Sequence, residues 1–312
     1  MPAARSSDST APVICLGEAL VDLICPDPLA DAAEARRFET HFGGALANVA
    51  VAVARSGAPA ALAGGCGDDG WGRFLRDRLA AEGVALDFHA ILPGAPTPFA
   101  LATLDAELEP SFRIQAEGIV EGIATLDGRE RELAHTAAAV VVGSNTLPDE
   151  SSRAITANVC AAARERGVPV LFDPNLRPGR WSDLDRAREL CLELVETTTL
   201  LKCNLAEARW LLGRDDGTSG ADAAEALVEL GPELVVVTSG TEDAVARGAC
   251  SAAIAPPEVE MVSPLGAGDV FMGTLASGLH RAGWRLDRAG EVMEDATRAA
   301  ATACTRLGAF DS

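Results

Sequence analysis

The sequence predicts an α/β fold, a mostly parallel sheet with helices on both faces, extended by a small antiparallel lobe. Three observations carry this. Short apolar segments alternate with longer ones whose apolar residues recur every three or four positions, the pattern of strands and amphipathic helices in turn. Clusters of Gly, Asn, Asp and hydroxyl residues follow directly on several of the strands, where open α/β sheets place their ligands. Between about residues 88 and 117, alternation punctuated by Pro93, Pro96 and Pro98 suits edge strands rather than a wound core.

At 312 residues the chain fits one large unit with an added lobe, and no repeat or low-complexity linker divides it. Aromatic residues make up 4% and Tyr is absent, so the core is expected to consist of Val, Leu, Ala and Ile. A net charge of −20 repels nucleic-acid backbones and anionic membranes, which argues against both as partners. An anionic small molecule would need local Arg or Lys, or a metal ion. The eight cysteines form no C-x-x-C pair and read as reduced, buried small residues. The polar start has no signal-like apolar run, and no segment is long enough to cross a bilayer, so a cytoplasmic location is expected.

Taken in order, 13–16 is a strand ending at Gly17, and 19–24 continues extended with Glu18 and Asp22 interrupting it. A carboxylate there suits the hydroxyls of a polyhydroxylated ligand, or simply an exposed face. Residues 25–40 read as a surface excursion. His41-Phe42-Gly43-Gly44-Ala45-Leu46-Ala47-Asn48 then opens a helix to about residue 56, the paired glycines permitting close backbone approach by a ligand and Asn48 serving as a cap or a hydroxyl partner. After a strand at 60–63, Gly65-Cys66-Gly67-Asp68-Asp69-Gly70 matches the dinucleotide fingerprint before a helix over 71–82. Two aspartates would crowd a pyrophosphate there, so dinucleotide binding is set aside.

The regular part follows: strand 137–142, helix 148–166, strand 168–172, helix 184–196, strand 200–202, helices 205–212 and 221–230, strand 234–237, then the closing helices. Three ligand-facing clusters sit after these strands. They are Asp173-Pro174-Asn175-Leu176-Arg177 with Trp181, Lys202-Cys203-Asn204-Leu205-Ala206-Glu207, and Thr238-Ser239-Gly240-Thr241. Asn204 and Glu207, three apart at a helix start, suit a Mg²⁺ held mainly through waters.

The fourth cluster is Ser263-Pro264-Leu265-Gly266-Ala267-Gly268-Asp269, read as a turn between a strand at 259–263 and a helix carrying Val270, Phe271, Leu275 and Leu279. Small residues at a helix start leave backbone N–H groups free for phosphate. Asp269 would repel that anion unless it accepts the proton of an attacking hydroxyl; the alternative is a favourable first-turn acid.

Two signatures, Gly43-Gly44-Ala45-Leu46-Ala47-Asn48 and Gly266-Ala267-Gly268-Asp269, resemble those of the PfkB, or ribokinase-like, carbohydrate kinases, over almost the whole chain. Segments 17–24 and 173–177 with Trp181 look most like bacterial fructokinases. The resemblance implies a ribokinase-like three-layer sandwich as a single domain over 1–312, with a β-sheet lid from about 25–42 and 88–117. It implies an ATP-dependent sugar kinase, fructose to fructose 6-phosphate first, with 2-keto-3-deoxygluconate kinase and a non-catalytic sugar- or nucleotide-binding protein as alternatives. Carried onto this sequence, Asp22, Gly43, Gly44 and Asn48 would bind sugar and Asp269 would be the base. Gly266, Ala267 and Gly268 would form the anion hole, with Arg177 supplying a cation. Lys202, Thr238 and Gly240 would contact ATP, and Asn204 and Glu207 would order Mg²⁺. Pairing of lids between subunits is the expected route to a homodimer.

The chain departs from the family at three places. Ser263-Pro264 replaces the Asp-Thr that helps build a monovalent-cation site, leaving that cation undetermined. Asp243 replaces a glycine of the nucleotide loop. Gln115-Ala116 stands where many relatives carry Tyr-Arg.

Overall fold

The computed structural model describes residues 9–29, 32–214 and 217–310. The first half of the chain contains β1 (Val13–Leu16), β2 (Leu20–Ile24), β3 (Glu39–Gly43), α1 (Ala45–Arg55), β4 (Ala60–Gly67), α2 (Gly70–Ala81) and β5 (Ala85–Leu92). β6 (Phe99–Leu104), β7 (Pro110–Gln115), α3 (Ile119–Ala124), α4 (Glu130–Thr136), β8 (Ala139–Gly143) and α5 (Glu150–Glu165) follow. Next come β9 (Val170–Asp173), α6 (Leu184–Val195), β10 (Leu200–Asn204), α7 (Leu205–Leu212) and α8 (Gly220–Val228). The chain closes with β11 (Leu234–Ser239), β12 (Glu242–Gly248), β13 (Ala252–Ile254), α9 (Ala267–Arg281) and α10 (Ala289–Ala303).

Nine strands form one sheet in the order β13-β12-β11-β10-β9-β8-β1-β4-β5, parallel from β11 to β5. β1 is central and fully buried, and its alternation feeds two cores. Val13 and Cys15 face the core lined by α1, α2, α9 and α10, whereas Ile14 and Leu16 face the one lined by α3 to α8. This is the expected three-layer α/β sandwich, its cores built of Val, Leu, Ala and Ile. All eight cysteines are free.

A second, smaller sheet of four strands, β3-β2-β6-β7, stands where the lid is expected. Its composition corrects the expected boundaries of 25–42 and 88–117. Residues 20–24 belong to it as β2, pairing with both β3 and β6. β5, which covers 88–92, instead extends the large sheet in parallel with β4. Edge-strand character was legible in that segment; which sheet it edges was not, because either sheet satisfies the same alternation.

One further expectation fails. The strand at 259–263 is absent: residues 255–262 are irregular, and the N–H groups of Val262 and Ser263 donate to the Cys304 carbonyl at 2.8 and 3.2 Å. Pro256 and Pro257 lack the N–H groups a ladder requires. Conversely, β11 runs on to Ser239 and turns back as β12, with Ser239 opposite Glu242 across Gly240 at φ 62°. The expected strand 234–237 is thus two residues longer, and the Thr238 to Thr241 cluster lies at a β-hairpin turn.

Candidate active site

The helix crossing of α1 and α9 sets the site. Gly273 of α9 lies so close to α1 that an added Cβ would come within 2.5 Å of the Val49 carbonyl and 3.1 Å of the Val53 nitrogen. One turn earlier on each helix stand Asn48 and Asp269, neighbours because the crossing is tight. Asn48 Nδ2 donates to Asp269 Oδ2 at 2.9 Å.

The other carboxylate oxygen, Oδ1, accepts from Asn175 Nδ2 at 2.7 Å. Asp269 is only 5% exposed, and burial is the main force pushing its pKa up to about 6. The Asn48 hydrogen bond, Arg177 and Lys202 oppose that rise, whereas Asp173 adds to it. Asn175, a member of the cluster after β9 with no role of its own in the sequence pattern, is brought to Asp269 by its hydrogen bond to Oδ1. Its backbone is left-handed, φ 42°, a conformation asparagine tolerates better than most non-glycine residues.

The lid contributes Asp22, whose pKa rises to about 7 through burial and the nearby charges of Asp269 and Glu18, against the pull of Arg177. Its carboxylate lies over Gly43, on the paired strand β3, where any side chain would collide with Asp22 Oδ2. Gly44 has φ 98° and approaches the Glu18 carbonyl so closely that a Cβ would sit 2.6 Å from it. Gly44 is thus required by the backbone, and Gly43 leaves room for the Asp22 carboxylate in this position. Glu18, which the sequence reading left without a role, is buried and caps α1 from outside: its Oε1 accepts from Ala45 N–H at 3.2 Å and Asn145 Nδ2 at 2.8 Å. Arg177 stacks its guanidinium 4.6 Å above the ring of Phe112 in β7, linking the lid to the turn after β9.

Gly266 caps α9 at φ 78° with no side-chain hydrogen bond to the helix start, so Gly268 and Asp269 stand in a first turn open to an anion. Beneath it lies Lys202, whose Nζ would be 2.9 Å from a Cβ on Gly268. That ammonium is buried and paired with Asp173 Oδ2 at 2.8 Å. Burial works against its charge, but Asp173 and Glu207 outweigh burial and its pKa lies above the ordinary lysine value. Ser263 is fully buried, its Oγ accepting from Leu265 N–H at 3.1 Å.

The remaining residues lie along β10 and β11. Asn204 and Glu207 form a capping box: Asn204 Oδ1 accepts from Glu207 N–H at 2.8 Å and Glu207 Oε2 from Asn204 N–H at 3.0 Å. Glu207 Oε1 also accepts from Leu176 N–H at 2.7 Å, bracing the turn that carries Asn175. Thr238 is cross-strand neighbour to Asn204, and Gly240 occupies the hairpin turn with open space around it. The dinucleotide-like segment is closed by its own acid: Asp69 accepts from Gly72 N–H at 2.8 Å, Thr97 N–H at 3.0 Å and Thr97 Oγ1 at 2.7 Å. A separate cleft of about 360 Å³, lined by Arg55, Thr274, Arg298 and Phe310, is not lined by Asp269.

A buried carboxylate next to a helix start without a side-chain cap, with the small sheet's Asp22 carboxylate close by, could serve to move a phosphoryl group onto an alcohol. The comparisons agree. The model for pfkB family carbohydrate kinases matches residues 10–312. A fructokinase of Klebsiella pneumoniae is 34% identical over 268 residues, covering 85% of this chain and 83% of that protein. Among solved structures, the Xylella fastidiosa fructokinase with bound ATP superimposes with a TM-score of 0.80 at 27% identity, covering 96% of this chain and 94% of that one. The Vibrio cholerae O395 fructokinase, in its fructose, ADP and calcium ion bound form, gives 0.79 at 27% identity, covering 97% and 95%. The chain belongs to the pfkB family of carbohydrate kinases, and its activity is phosphoryl transfer to a sugar hydroxyl.

Proposed function

We propose that the chain phosphorylates fructose with ATP, and that Asp269 is the general base. The observation that carries this reading is the placement of Asp269, held by two amides at the open start of α9 beneath the lid. The sugar lies between lid and sandwich, its hydroxyls meeting Asp22, Asn48 and the backbone of Gly43 and Gly44. Asp269 takes the proton of the attacking hydroxyl as its oxygen bonds to the γ-phosphorus and the bond to the ADP oxygen breaks. N–H groups of Gly266, Ala267 and Gly268 at the helix start receive the developing charge, that of Ala267 on leaving the Pro264 carbonyl it meets at 3.3 Å, with Lys202 below and Arg177 above. Thr238 and the Gly240 turn border the nucleotide. The names of the fructokinase relatives support fructose and ATP.

Mg²⁺ would neutralise charge on the transferring phosphates. Asn204 and Glu207 fit it only at one remove: their oxygens already cap α7 and hold Leu176 N–H, so the ion would meet them through waters. No helix among the described residues is long and apolar enough to cross a membrane. A cytoplasmic location fits this reading and the eight free cysteines. The exposed lid edges suit pairing with a second copy.

A coupled ADP-release assay over fructose, ribose, 2-keto-3-deoxygluconate and nucleosides tests the substrate. The reading expects the highest kcat/KM with fructose. Absence of fructose turnover by folded protein supplied with Mg²⁺ contradicts it.

A further inference from the structure

Asn175 carries more geometry than a turn residue needs. It stands at φ 42° between two fixed neighbours: Asp173 is held by Lys202 at 2.8 Å, and Leu176 N–H by Glu207 at 2.7 Å. Asparagine is among the few non-glycine residues that adopt this backbone readily, so the turn holds its amide in one direction without strain. Here the amide is aimed at Asp269, with Nδ2 donating at 2.7 Å. An ionised carboxylate only accepts, which assigns the amide's orientation. The other end of the same amide, Oδ1, is buried without a partner, and so is Asn48 Oδ1. Two buried acceptors beside one carboxylate are costly unless a ligand or an ordered water supplies donors.

We propose that Asn175 is a positioning and substrate-reading residue: Nδ2 holds Asp269 Oδ1, and Oδ1 accepts a hydrogen bond from a second hydroxyl of the same sugar. The inference rests on the carbohydrate-kinase reading. The substrate is then a polyol recognised at two hydroxyls through one amide, one hydroxyl reacting at Asp269 and the other fixing the angle of approach. Binding of the second hydroxyl and orientation of the base become one event, because both hang on a single planar group.

Asn175→Gly is the suitable variant, since glycine keeps the positive φ without strain. Steady-state kinetics are measured for wild type and variant on the preferred sugar and its mono-deoxy analogues, across pH, with thermal unfolding to check folding. The expected loss in kcat/KM is about 10- to 100-fold, and the acid limb of its pH profile moves up by about half a unit or more, because a donor to the ionised carboxylate is gone. Asp173, Asp22, Lys202 and Arg177, which also face Asp269, are unchanged between the two proteins. Wild type is expected to reject one deoxy analogue about tenfold or more, and the variant to lose most of that discrimination. A variant with wild-type pH limb and undiminished discrimination overturns the inference while leaving the kinase reading intact. Wild type inactive on every sugar overturns both.

Discussion

Asn48 and Asp269 are 221 positions apart in the chain and 2.9 Å apart in space, joined by a buried hydrogen bond that spans the α1–α9 crossing. Gly273 makes the crossing close enough for that bond. Gly273→Ala is expected to wedge the helices apart, destabilising the protein by about 1–3 kcal/mol and lowering kcat more than it raises KM. Urea unfolding and steady-state kinetics check both effects; a stable, fully active variant contradicts the positioning argument.

The two site carboxylates predict opposite responses to pH for activity and stability. Asp22 and Asp269 have pKa values pushed up to about 7 and about 6. With Asp269 as the proposed base, the ionised form is the active one, and kcat/KM is expected to fall as pH drops through about 6. Stability runs the other way: the raised folded pKa values give a contribution fully present below the unfolded carboxylate pKa, about 4, and lost as pH rises through 6 to 7. Asp22→Asn should therefore raise Tm over wild type more at pH 8 than at pH 5. Equal differences at both values contradict this.

Lys202 and Asp173 are a buried pair, with side chains only 5% and 6% exposed. Lys202→Met leaves the Asp173 charge uncompensated beneath the glycine turn, and a loss of about 3–5 kcal/mol is expected. The double substitution Lys202→Met with Asp173→Leu should recover much of it while remaining inactive. Chemical denaturation of the three proteins measures this directly.

Gly43→Ala places a methyl against the Asp22 carboxylate. A rise in KM for the sugar of about tenfold or more is expected, equivalent to about 1.4 kcal/mol, with little change in KM for ATP. Calorimetric titration with sugar alone separates lost affinity from slowed chemistry.

Much of this is legible in the sequence. Apolar periodicity located most of the helices and strands of the sandwich, because burial on one or both faces writes itself into local sequence. The signatures around Gly44 and Gly266 were legible because positive φ and close approach restrict those positions to glycine. The lid boundaries were not, since Ala85–Leu92 satisfies the same alternation in either sheet. Nor were Asn175 and Glu18: their partners, Asp269 and Asn145, are 94 and 127 positions away, and no local pattern announces such a bond. Asn204 and Glu207 show the converse, a spacing that suits a metal and equally suits a helix cap.

The most direct test is turnover and sugar binding by Asp269→Ala, with wild type alongside. A base at this position predicts that kcat falls by about a thousandfold or more while the sugar Kd stays within a few fold. An Asp269→Ala protein that keeps its kcat within tenfold of wild type would contradict the account.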